Sequence, residues 1–513
     1  MQKHTVVAIV IFLLLVIAGV IYKVMQPSIQ KLQAYATSDA RGMKGEIKIA
    51  LDSWIGYFPI QSPVFKKLMR DEDYRVVILD DEADYPCRMA DLKSGEIDLA
   101  VCTVDAYLVN GAAEGFPGTI ITVIDESKGG DAIVAWENKI DSIDKLKNTQ
   151  NFKIAFTPDS PSHHLLKSVG VHFGIDELLN RSGNWKIETS GAKEAYRKFM
   201  SKEVEIAVIW EPYVTKALSN SGVVKLLGTE NVEKLIVDIL LVSRNYAIKN
   251  PELVELVVKN YYQTMKIYTE QPELLQKDIM AHTKLNEAQV QSMLQGVKWL
   301  DLFENARWFG LDAQRAYYQE ELLASIDSTV KILIKNRDFQ NDPLPNQDPF
   351  TIIDSSFLEK VYLSGEFGTE QASYENPLER KFPLLKDSQW EILRGVGSLK
   401  FRNVTFLSGT FDLDFNGQEQ LDASIEILKH YPNFRIVVKG HTGTRGDPEA
   451  NKALSQERAI SVKEYFVQTY NMDPNRIRAI GAGGSEPLKK VDGESSRSYN
   501  DRLKRVEVYM VSP

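Results

Sequence analysis

Apolar and polar residues alternate along the chain in a pattern that predicts two folded regions, residues 45–336 and 395–513, with a polar stretch at 337–394 between them. In the first region, apolar runs typical of buried strands alternate with segments of helical periodicity. The strand-like runs are GEIKIALDSW, YRVVILDD, EIDLAVCT, GTIITVIDE, DAIVAWEN, FKIAFTP, EIAVIWEPY and LIVDILLVS. This alternation predicts an α/β fold with largely parallel sheets. A region of about 290 residues is also long enough to form two lobes.

An uncharged apolar run, TVVAIVIFLLLVIAGVIY, occupies residues 5–22 and is flanked by Lys3 and Lys23. At about 1.5 Å of helical rise per residue, it nearly spans the hydrocarbon core of a bilayer. We therefore predict that residues 1–44 form a single membrane helix followed by a spacer. A cleaved signal peptide and a buried soluble helix are the alternatives, but no small-residue cleavage pattern follows the run. The charges on its two sides do not determine its orientation.

The overall charge gives no reason to expect a nucleic-acid partner, because 61 basic residues face 70 acidic ones and the formal net charge is −9. Two cysteines, Cys87 and Cys102, lack the spacing of a metal site. Burial as small apolar side chains is the simplest interpretation, and one disulfide is the alternative in an oxidising compartment.

Motifs for catalysis are missing from the sequence. There is no Gly-x-Ser-x-Gly elbow, phosphate loop or zinc-protease helix. The adjacent His163 and His164 would point about 100° apart on a helix and would not readily chelate one ion. We predict a protein without enzymatic activity, metal or cofactor.

Several local motifs occur in the order typical of one transport family. They are IALDSWIGYFP, LKSGEIDLAVCTVDA, SKGGDAIVAWENKIDSIDKLKN, KIAFTPDSPSHHLL, KEVEIAVIWEPYV and GVKWLDLFENARWFG. In this order and spacing, residues 45–336 resemble the periplasmic substrate-binding proteins of the nitrate, sulfonate and taurine transport group. The resemblance implies a periplasmic-binding-protein type II-like fold, in which two lobes close over a small polar or zwitterionic solute.

The resemblance also implies ligand-binding residues where strands end and helices begin, because helix N-termini present free amide donors. The candidates are Ser53, Trp54, Gly56, Thr103, Asp105, Gly130, Asp131, Thr157, Ser160, Ser162, Trp210 and Glu211. Other roles remain open for some of them. Trp54 and Trp210 have core packing as the alternative, Ser160 and Ser162 have helix capping, and the two aspartates have capping or hinge roles.

Residues 337–394 are rich in proline and polar side chains, with prolines at 343, 345, 349, 377 and 383. This composition predicts an extended, poorly packed linker with one short helix around residues 355–363. Tethering is the role that we expect of it.

The C-terminal region has its own pattern of elements. A strand, a helix at 417–430, a strand at 434–439, a helix at 451–470 and a final strand at 505–511 predict a βαβαβ domain. The segments VTFLSGTFDLDFNGQEQL, GHT, NKALSQERAISV, IRAIGAGGSEP and KRVEV resemble OmpA-like peptidoglycan-binding domains. That resemblance implies that Arg458 holds the carboxylate of the diaminopimelate residue, with Thr442, Asn451, Leu454 and Arg505 around it.

Gly443 stands where the family carries the aspartate that receives the ligand's ammonium, and Leu503 and Lys504 also depart from the family motif. Losing one charge-assisted contact costs about 1.5–3 kcal/mol. A weakened or altered wall anchor and a domain retained for protein interaction are therefore competing hypotheses. Asp447, Glu449 and Asp501 are candidates to replace the missing carboxylate, and an ion pair to Asp447 or Glu507 is the alternative role for Arg458.

The two resemblances together imply a single-pass protein of a bacterial inner membrane whose C-terminal bulk lies in the periplasm. The first hypothesis is solute capture linked to an ABC-type permease, with peptidoglycan as a second partner. The second hypothesis is a sensory or scaffold subunit of a cell-envelope complex, because the binding module and the wall module are covalently joined.

Overall fold

The computed structural model describes residues 43–149, 151–179, 183–311, 320–368, 376–400, 404–407 and 409–511. The predicted membrane helix at residues 5–22 lies outside them. Within these ranges, no helix is both long enough and apolar enough to cross a membrane.

The described strands are β1 (Gly45–Leu51), β2 (Tyr74–Asp80), β3 (Leu99–Thr103), β4 (Gly118–Ser127), β5 (Asp131–Trp136), β6 (Ile154–Phe156), β7 (Lys186–Glu188), β8 (Ile206–Trp210), β9 (Val223–Gly228), β10 (Val237–Ser243), β11 (Val297–Trp299), β12 (Gly395–Ser398), β13 (Arg435–His441), β14 (Ile477–Gly483) and β15 (Val506–Val511).

The described α-helices are α1 (Phe58–Gln61), α2 (Pro63–Asp71), α3 (Tyr85–Ser94), α4 (Val104–Ala106), α5 (Ile143–Asn148), α6 (Pro161–Phe173), α7 (Ala192–Met200), α8 (Tyr213–Leu218), α9 (Arg244–Lys249), α10 (Pro251–Glu270), α11 (Pro272–Thr283), α12 (Glu287–Gln295), α13 (Leu302–Trp308), α14 (Glu321–Lys335), α15 (Ser356–Leu363), α16 (Asp387–Glu391), α17 (Phe415–Leu428), α18 (Pro448–Tyr470) and α19 (Ser496–Leu503).

Two lobes form the larger part of the molecule. In the described part of the chain, lobe 1 is built on the sheet β11-β4-β10-β3-β1-β2 and lobe 2 on the sheet β7-β6-β8-β5-β9. The chain crosses between them twice, through residues 128–130 after β4 and through residues 229–236 before β10. We call these the first and second hinge segments. The two-lobed α/β architecture expected from the sequence is therefore present.

The strands of both lobes form mixed sheets, so the expectation of largely parallel sheets is wrong. β1 pairs in parallel with β2 and β3, and β6 does so with β7 and β8. By contrast, β10 is antiparallel to β3 and β4, and β5 is antiparallel to β8 and β9. The physical reason is the double crossing, because β10 returns from lobe 2 and enters between β3 and β4 in the opposite direction.

Local sequence explains where helix α6 begins and ends, and this helix faces the cleft between the lobes. Ser160 caps its N-terminus by accepting a hydrogen bond from the His163 amide at 3.4 Å. Pro161 occupies the first turn, where its missing N–H costs nothing. Gly174 ends the helix with a φ of 64°, a left-handed conformation that glycine adopts without strain.

The apolar core of lobe 2 continues into the C-terminal domain. Phe156 and Phe173 of lobe 2 belong to the same buried cluster as Tyr431, Phe434 and Val438 of the C-terminal domain. Lobe 1 has a separate core. Full burial of one such side chain contributes about 1.5–3 kcal/mol, so the C-terminal domain is held against lobe 2 by apolar packing.

The segment 337–394 is packed, so the expectation of an extended, poorly packed linker is wrong for its described residues. Ile353 forms a parallel bridge with Ile120 of β4. Phe357 and Leu358 of α15 are buried in the core of lobe 1, and Leu378 is buried in the core shared by lobe 2 and the C-terminal domain. The short helix predicted at 355–363 is confirmed as α15 (Ser356–Leu363). Apolar residues spaced among the prolines drive this packing.

The C-terminal domain contains more elements than the predicted βαβαβ order. The described strands form a sheet in the order β12-β15-β13-β14, with β13 parallel to β14 and antiparallel to β15. Strand β14 and helix α19 were not predicted as elements. Their sequences, IRAIGAG and SRSYNDRL, contain few large apolar residues, and each element is buried only in part.

The two cysteines are not bonded to each other. Cys102 is buried and Cys87 is exposed, and both are free. The expected burial is confirmed for Cys102 and wrong for Cys87, which lies on the solvent side of α3.

Candidate functional site

A cavity of about 510 Å³ lies between the two lobes, next to the hinge segments. Lobe 1 and the second hinge segment line it with Asp52, Ser53, Trp54, Tyr57, Asp80, Glu82, Ala83, Tyr85, Ile236 and Asp238. Lobe 2 lines it with Asp131, Thr157, Pro158, Ser160, Pro161, Ser190, Gly191, Ala192, Lys193, Trp210 and Tyr213. Its volume falls in the range of about 300–1,000 Å³ typical of small-ligand pockets.

Half of the ligand-binding residues predicted from the sequence line this cavity. They are Ser53, Trp54, Asp131, Thr157, Ser160 and Trp210. The other six, Gly56, Thr103, Asp105, Gly130, Ser162 and Glu211, lie outside the set of lining residues.

Trp54 extends from lobe 1 to the first hinge segment, and two glycines make room for it. Its indole Nε1 donates a hydrogen bond to Asp125 Oδ1 at 3.3 Å. A Cβ atom on Gly130 would overlap the Trp54 ring, and one on Gly56 would overlap the Asp125 carboxylate. Gly56 and Gly130 thus position the aromatic wall without lining the cavity.

Asp131 is the carboxylate that lobe 2 contributes to the cavity. It accepts hydrogen bonds from Ser127 Oγ at 2.8 Å and from Ser162 Oγ at 3.2 Å. Its side chain is buried, and burial raises the pKa of Asp131 to about 6, with Asp105 and Glu211 acting in the same direction. Ser162 therefore acts on the cavity through Asp131.

Lobe 1 contributes further carboxylates to the cavity wall. Asp52 accepts a hydrogen bond from the Arg88 guanidinium at 3.2 Å, and Arg88 also pairs with Asp81. Tyr57 donates its hydroxyl to Asp238, which lies opposite Asp125 in the sheet. Burial raises the pKa of both Asp125 and Asp238. The charge of Asp125 raises the pKa of Asp238 further, whereas a hydrogen bond with Asp238 acts to lower the pKa of Asp125.

The wall from lobe 2 has the opposite electrostatic character. The N-termini of α6 and α7 both open onto the cavity, with Ser160 and Gly191 as their first flanking residues. No side chain caps the N-terminus of α7. Lys193 lies in its first turn and is exposed at the rim. Helix N-termini carry a partial positive charge, so this wall suits an anionic or polar group.

The remaining predicted residues have structural partners near the cavity. Thr103 caps the short helix α4 by accepting from the Ala106 amide at 3.4 Å. Glu211 accepts hydrogen bonds from the amide and hydroxyl of Thr215, at 3.2 Å and 2.8 Å. Asp105 is buried, and burial raises its pKa to about 6.

Sequence reasoning did not find several lining residues. Tyr57, Tyr85 and Asp238 lie in or beside apolar runs, and Ser190 to Lys193 follow the three-residue strand β7. One signal was available. An aspartate inside the apolar run LIVDILLVS is unusual for a buried strand and marks Asp238 as a residue with a special role.

Arg458 forms the centre of the candidate site in the C-terminal domain. Its side chain is half-buried, its Nε donates to the Thr410 carbonyl at 3.2 Å, and its guanidinium lies 4.9 Å from the centre of the Phe406 ring. Among the described residues, no carboxylate forms an ion pair with it. Asp447 caps α18, and Glu507 pairs with Arg505. The alternative ion pairs expected for Arg458 are therefore absent.

Three other predicted residues of this site lie on α18 or at the turn that follows β13. Asn451 and Leu454 share its face of α18, since they precede it by seven and four positions. Thr442 donates its amide to the Gly483 carbonyl at 2.8 Å, which anchors the turn that contains Gly443. A Cβ at Gly443 would meet no atom within 4 Å. A side chain is therefore sterically allowed at the position of the missing aspartate.

The guanidinium of Arg505 already donates hydrogen bonds to other groups of the protein. Its Nε donates to Glu507 Oε1 at 2.6 Å, and its terminal nitrogens donate to the carbonyls of Leu503 and Glu486, each at 3.3 Å. Asp501 is largely exposed and lies 3.5 Å from Lys504. Neither arrangement supplies a carboxylate in place of the one missing at Gly443.

The C-terminal domain is docked directly on the second hinge segment. Glu233 donates its amide to the His430 carbonyl at 2.8 Å, and its own carbonyl bonds His430 Nδ1 at 2.7 Å. Asn433 Nδ2 donates to the Glu230 carbonyl at 3.2 Å. Arg380 of the connector forms an ion pair with Glu233 at 3.0 Å and also donates to Asn433 of the C-terminal domain. Movement at the hinge would therefore act on the C-terminal domain.

The C-terminal domain also contacts lobe 2 beside the hinge. The Tyr431 hydroxyl lies 2.9 Å from His172 Nδ1, and the Lys400 amide donates to the His172 carbonyl at 2.7 Å. Arg458 and the turn at Gly443 take no part in these contacts. Docking therefore leaves the Arg458 site free for another partner.

Residues 405–501 match the OmpA family. Curated relatives of this segment include the peptidoglycan-associated lipoproteins of Brucella melitensis, 33% identical over 97 residues, and of Rhizobium meliloti, 36% identical over 115 residues. The two alignments cover 18% and 22% of this chain. The chain spans 57% and 62% of the length of those relatives.

Among solved structures, the chain is similar to the periplasmic aliphatic sulphonate binding protein SsuA from Escherichia coli, with a TM-score of 0.46 and 20% identity, covering 58% of this chain and 94% of that chain. The alkanesulfonate-binding protein SsuA from Xanthomonas axonopodis pv. citri gives a TM-score of 0.45 and 16% identity, covering 61% of this chain and 99% of that chain. The family match at residues 405–501 confirms the resemblance of the C-terminal region to OmpA-like domains.

Proposed function

We propose that the protein is a membrane-anchored periplasmic solute-binding protein that also associates with peptidoglycan. The observation that carries the proposal is the cavity of about 510 Å³ between two lobes joined by two hinge segments. Closure about such a hinge encloses a small solute. Aromatic side chains and a few convergent polar groups line the cavity, which is the composition expected of a site for a small polar or zwitterionic solute.

The wall-binding part of the proposal rests on Arg458. A half-buried guanidinium without a carboxylate partner among the described residues is available for an anionic ligand group. The match of residues 405–501 to the OmpA family supports peptidoglycan as that ligand. Gly443 removes the contact to the ligand's ammonium, so the affinity is lower than that of a site with both charges.

In this proposal, residues 1–44 form an anchor, 45–336 a solute-binding domain, 337–394 a connector whose described residues are packed, and 395–513 a wall-binding domain. The apolar run at 5–22 anchors the protein in a bacterial inner membrane, with the bulk of the chain in the periplasm. An ABC-type permease in the same membrane is the proposed recipient of the solute. The chemistry is binding and not catalysis.

Trp54 provides the test of the solute site. Replacing Trp54 with alanine removes the aromatic wall that reaches the first hinge segment, and it is expected to weaken solute binding by about tenfold or more. A panel of small polar solutes is first screened by thermal shift on the full-length protein. The solutes that bind are then measured by isothermal titration calorimetry on both proteins.

Trp390→Ala is the matched control, because Trp390 of the connector is also half-buried but lies beside Arg435 of the C-terminal domain and does not line the cavity. It should leave solute affinity unchanged. Equal affinities of wild type and Trp54→Ala for every solute that binds would show that the cleft is not the binding site.

A second candidate function, a sensory subunit of an envelope complex, is favoured by the docking of the C-terminal domain on the hinge. His430 and Asn433 bind the backbone of Glu233 and Glu230 in the second hinge segment. A solute that changes the hinge would then change the position of the wall-binding domain. On this account, loosening the docked domain changes the affinity of the cleft for its solute, by reciprocity of coupled sites.

A further inference from the structure

The walls of the cleft contain a strong excess of buried carboxyl groups. Asp52, Asp105, Asp125, Asp131 and Asp238 are 8%, 4%, 0%, 4% and 2% exposed. Three of them, Asp52, Asp131 and Asp238, line the cavity itself. Among the described residues, two buried cations lie beside these carboxyl groups. Arg88 is shared by Asp52 and Asp81, and Lys167 interacts with Asp105 while it pairs with Asp338. Burying so many acidic groups together is unfavourable unless a cation or protons compensate them.

Two of these carboxyl groups have an oxygen without a partner. Asp105 Oδ1 and Asp125 Oδ2 are buried and accept no hydrogen bond from the described residues. A carboxylate oxygen removed from water without a donor costs free energy. Neither residue lines the cavity, so these two carboxyl groups add to the acidic character behind its wall and do not themselves contact a solute.

The aromatic side chains of the cavity favour the same kind of ligand. Trp54, Tyr57, Tyr85, Trp210 and Tyr213 line it. The face of an aromatic ring attracts an ammonium group, and the attraction is strongest in a desolvated site. At the rim, Asp80 and Glu82 add two exposed carboxylates, whereas Lys193 is the basic residue among those lining the cavity.

We propose that the solute carries a cationic nitrogen, a protonated amine or a quaternary ammonium, held against the carboxylates and aromatic rings of lobe 1 and Asp131. Its polar or anionic end lies at the N-termini of α6 and α7, near Lys193. This inference rests on the proposed function of the cleft as a solute receptor. It specifies the chemistry of the solute, because a purely anionic ligand would face the acidic wall.

The acidic groups also set the expected pH dependence. Burial raises the pKa of Asp105 and Asp131 to about 6, so both carboxyls are protonated at lower pH and ionised at higher pH. Lys167 faces Asp105, and so does His163, whose pKa burial lowers to about 4, so its imidazole is neutral in this pH range. The groups that face Asp131 are Asp105, Glu211, Asp125 and Asp238. Affinity for a cation therefore increases between about pH 5 and about pH 8.

Matched pairs of probes test the inference on the full-length protein. In each pair, the cationic nitrogen is replaced by an uncharged carbon of the same shape. The pairs are glycine betaine and 3,3-dimethylbutanoate, β-alanine and butanoate, and choline and 3,3-dimethylbutan-1-ol. In at least one pair, the cationic member is expected to bind about tenfold tighter or more, as measured by isothermal titration calorimetry. Its affinity should rise with pH, and that of the carbon analogue should not.

Two variants assign the preference to the acidic wall. Glu82→Gln removes an exposed rim carboxylate and is not expected to affect folding, while Asp131→Asn removes the buried one. Each is expected to reduce the preference for the cationic member. Lys193→Gln is the control. In the two pairs whose members both carry a carboxylate, it should weaken both members equally and leave the ratio of their affinities unchanged.

Two outcomes would overturn the inference. One is that the carbon analogue binds as tightly as its cationic partner in every pair that binds, and the other is that no cationic member binds at millimolar concentration. Binding of the carbon analogues that is lost in Trp54→Ala would still support the cleft as a solute receptor. The failure of the inference is therefore distinguishable from the failure of the proposed function.

Discussion

Replacing Arg88 with methionine is expected to lower the free energy of unfolding by about 3–5 kcal/mol, because it leaves buried carboxylates without their cation. Arg88 is fully buried, pairs with Asp52 and Asp81, and donates to the Val101 carbonyl. Methionine fills a similar volume, so the loss reports the charge and the hydrogen bonds more than the packing. Urea unfolding followed by circular dichroism measures it.

Arg75→Met is the matched control for this prediction. Arg75 pairs with Glu46 at 3.4 Å, and its side chain is 38% exposed. Such a surface ion pair contributes about 0–1 kcal/mol. Equal losses in the two variants would contradict the role of Arg88 in holding the acidic wall of the cleft.

Replacing Tyr431 with alanine is expected to cost about 3–5 kcal/mol, because it removes a large buried ring. Tyr431 is completely buried, bonds His172 and makes an edge contact with Phe173, both of lobe 2. The loss should loosen the C-terminal domain from the lobe and the hinge. Thermal unfolding gives the stability, and limited proteolysis of the connector reports the undocking.

The milder variant Tyr431→Phe keeps the ring and removes the hydroxyl bonded to His172. It should cost about 1 kcal/mol, and it is the better protein for measuring solute affinity. A change in solute affinity relative to wild type supports the sensory hypothesis.

The control for the stability of Tyr431→Ala is Tyr465→Ala, on the outer side of the same domain. If Tyr431→Ala were no less stable than this control, the domain would not be docked as described.

Long buried strands were predictable from sequence because their apolar runs are continuous. All eight predicted runs contain a strand, namely β1 to β6, β8 and β10. Strands β7, β9 and β11 were not predicted. β7 and β11 have three residues each, which is too little pattern to separate from a loop, and β9, VVKLLG, has a lysine in the middle of its apolar residues. The direction of the strands was also not predictable, since it depends on where the returning strand β10 enters the sheet of lobe 1.

The candidate site was predictable where its residues follow a recognisable strand. Trp54, Thr157 and Ser160 follow strands, Asp131 begins one and Trp210 ends one, and all five line the cavity. Residues 190–193 were missed because β7, which precedes them, gives no signal.

Long-range pairs were beyond the reach of sequence reasoning. Tyr57 and Asp238 bond to each other across 181 positions of the chain. No local pattern indicates such a contact. The packing of the connector was missed for a related reason, because its prolines indicate a linker, whereas its few apolar residues bury against two different parts of the molecule.

Wall tethering through Arg458 is tested most directly by co-sedimentation of the full-length protein with purified peptidoglycan. The full chain is required because the C-terminal domain shares its core with lobe 2. Wild type should bind, Arg458→Ala should bind about ten- to a hundredfold more weakly, and Gly443→Asp should bind more tightly, because space for the side chain is open. Binding of Arg458→Ala equal to wild type, or binding by Gly443→Asp alone, would contradict a wall-tethered receptor.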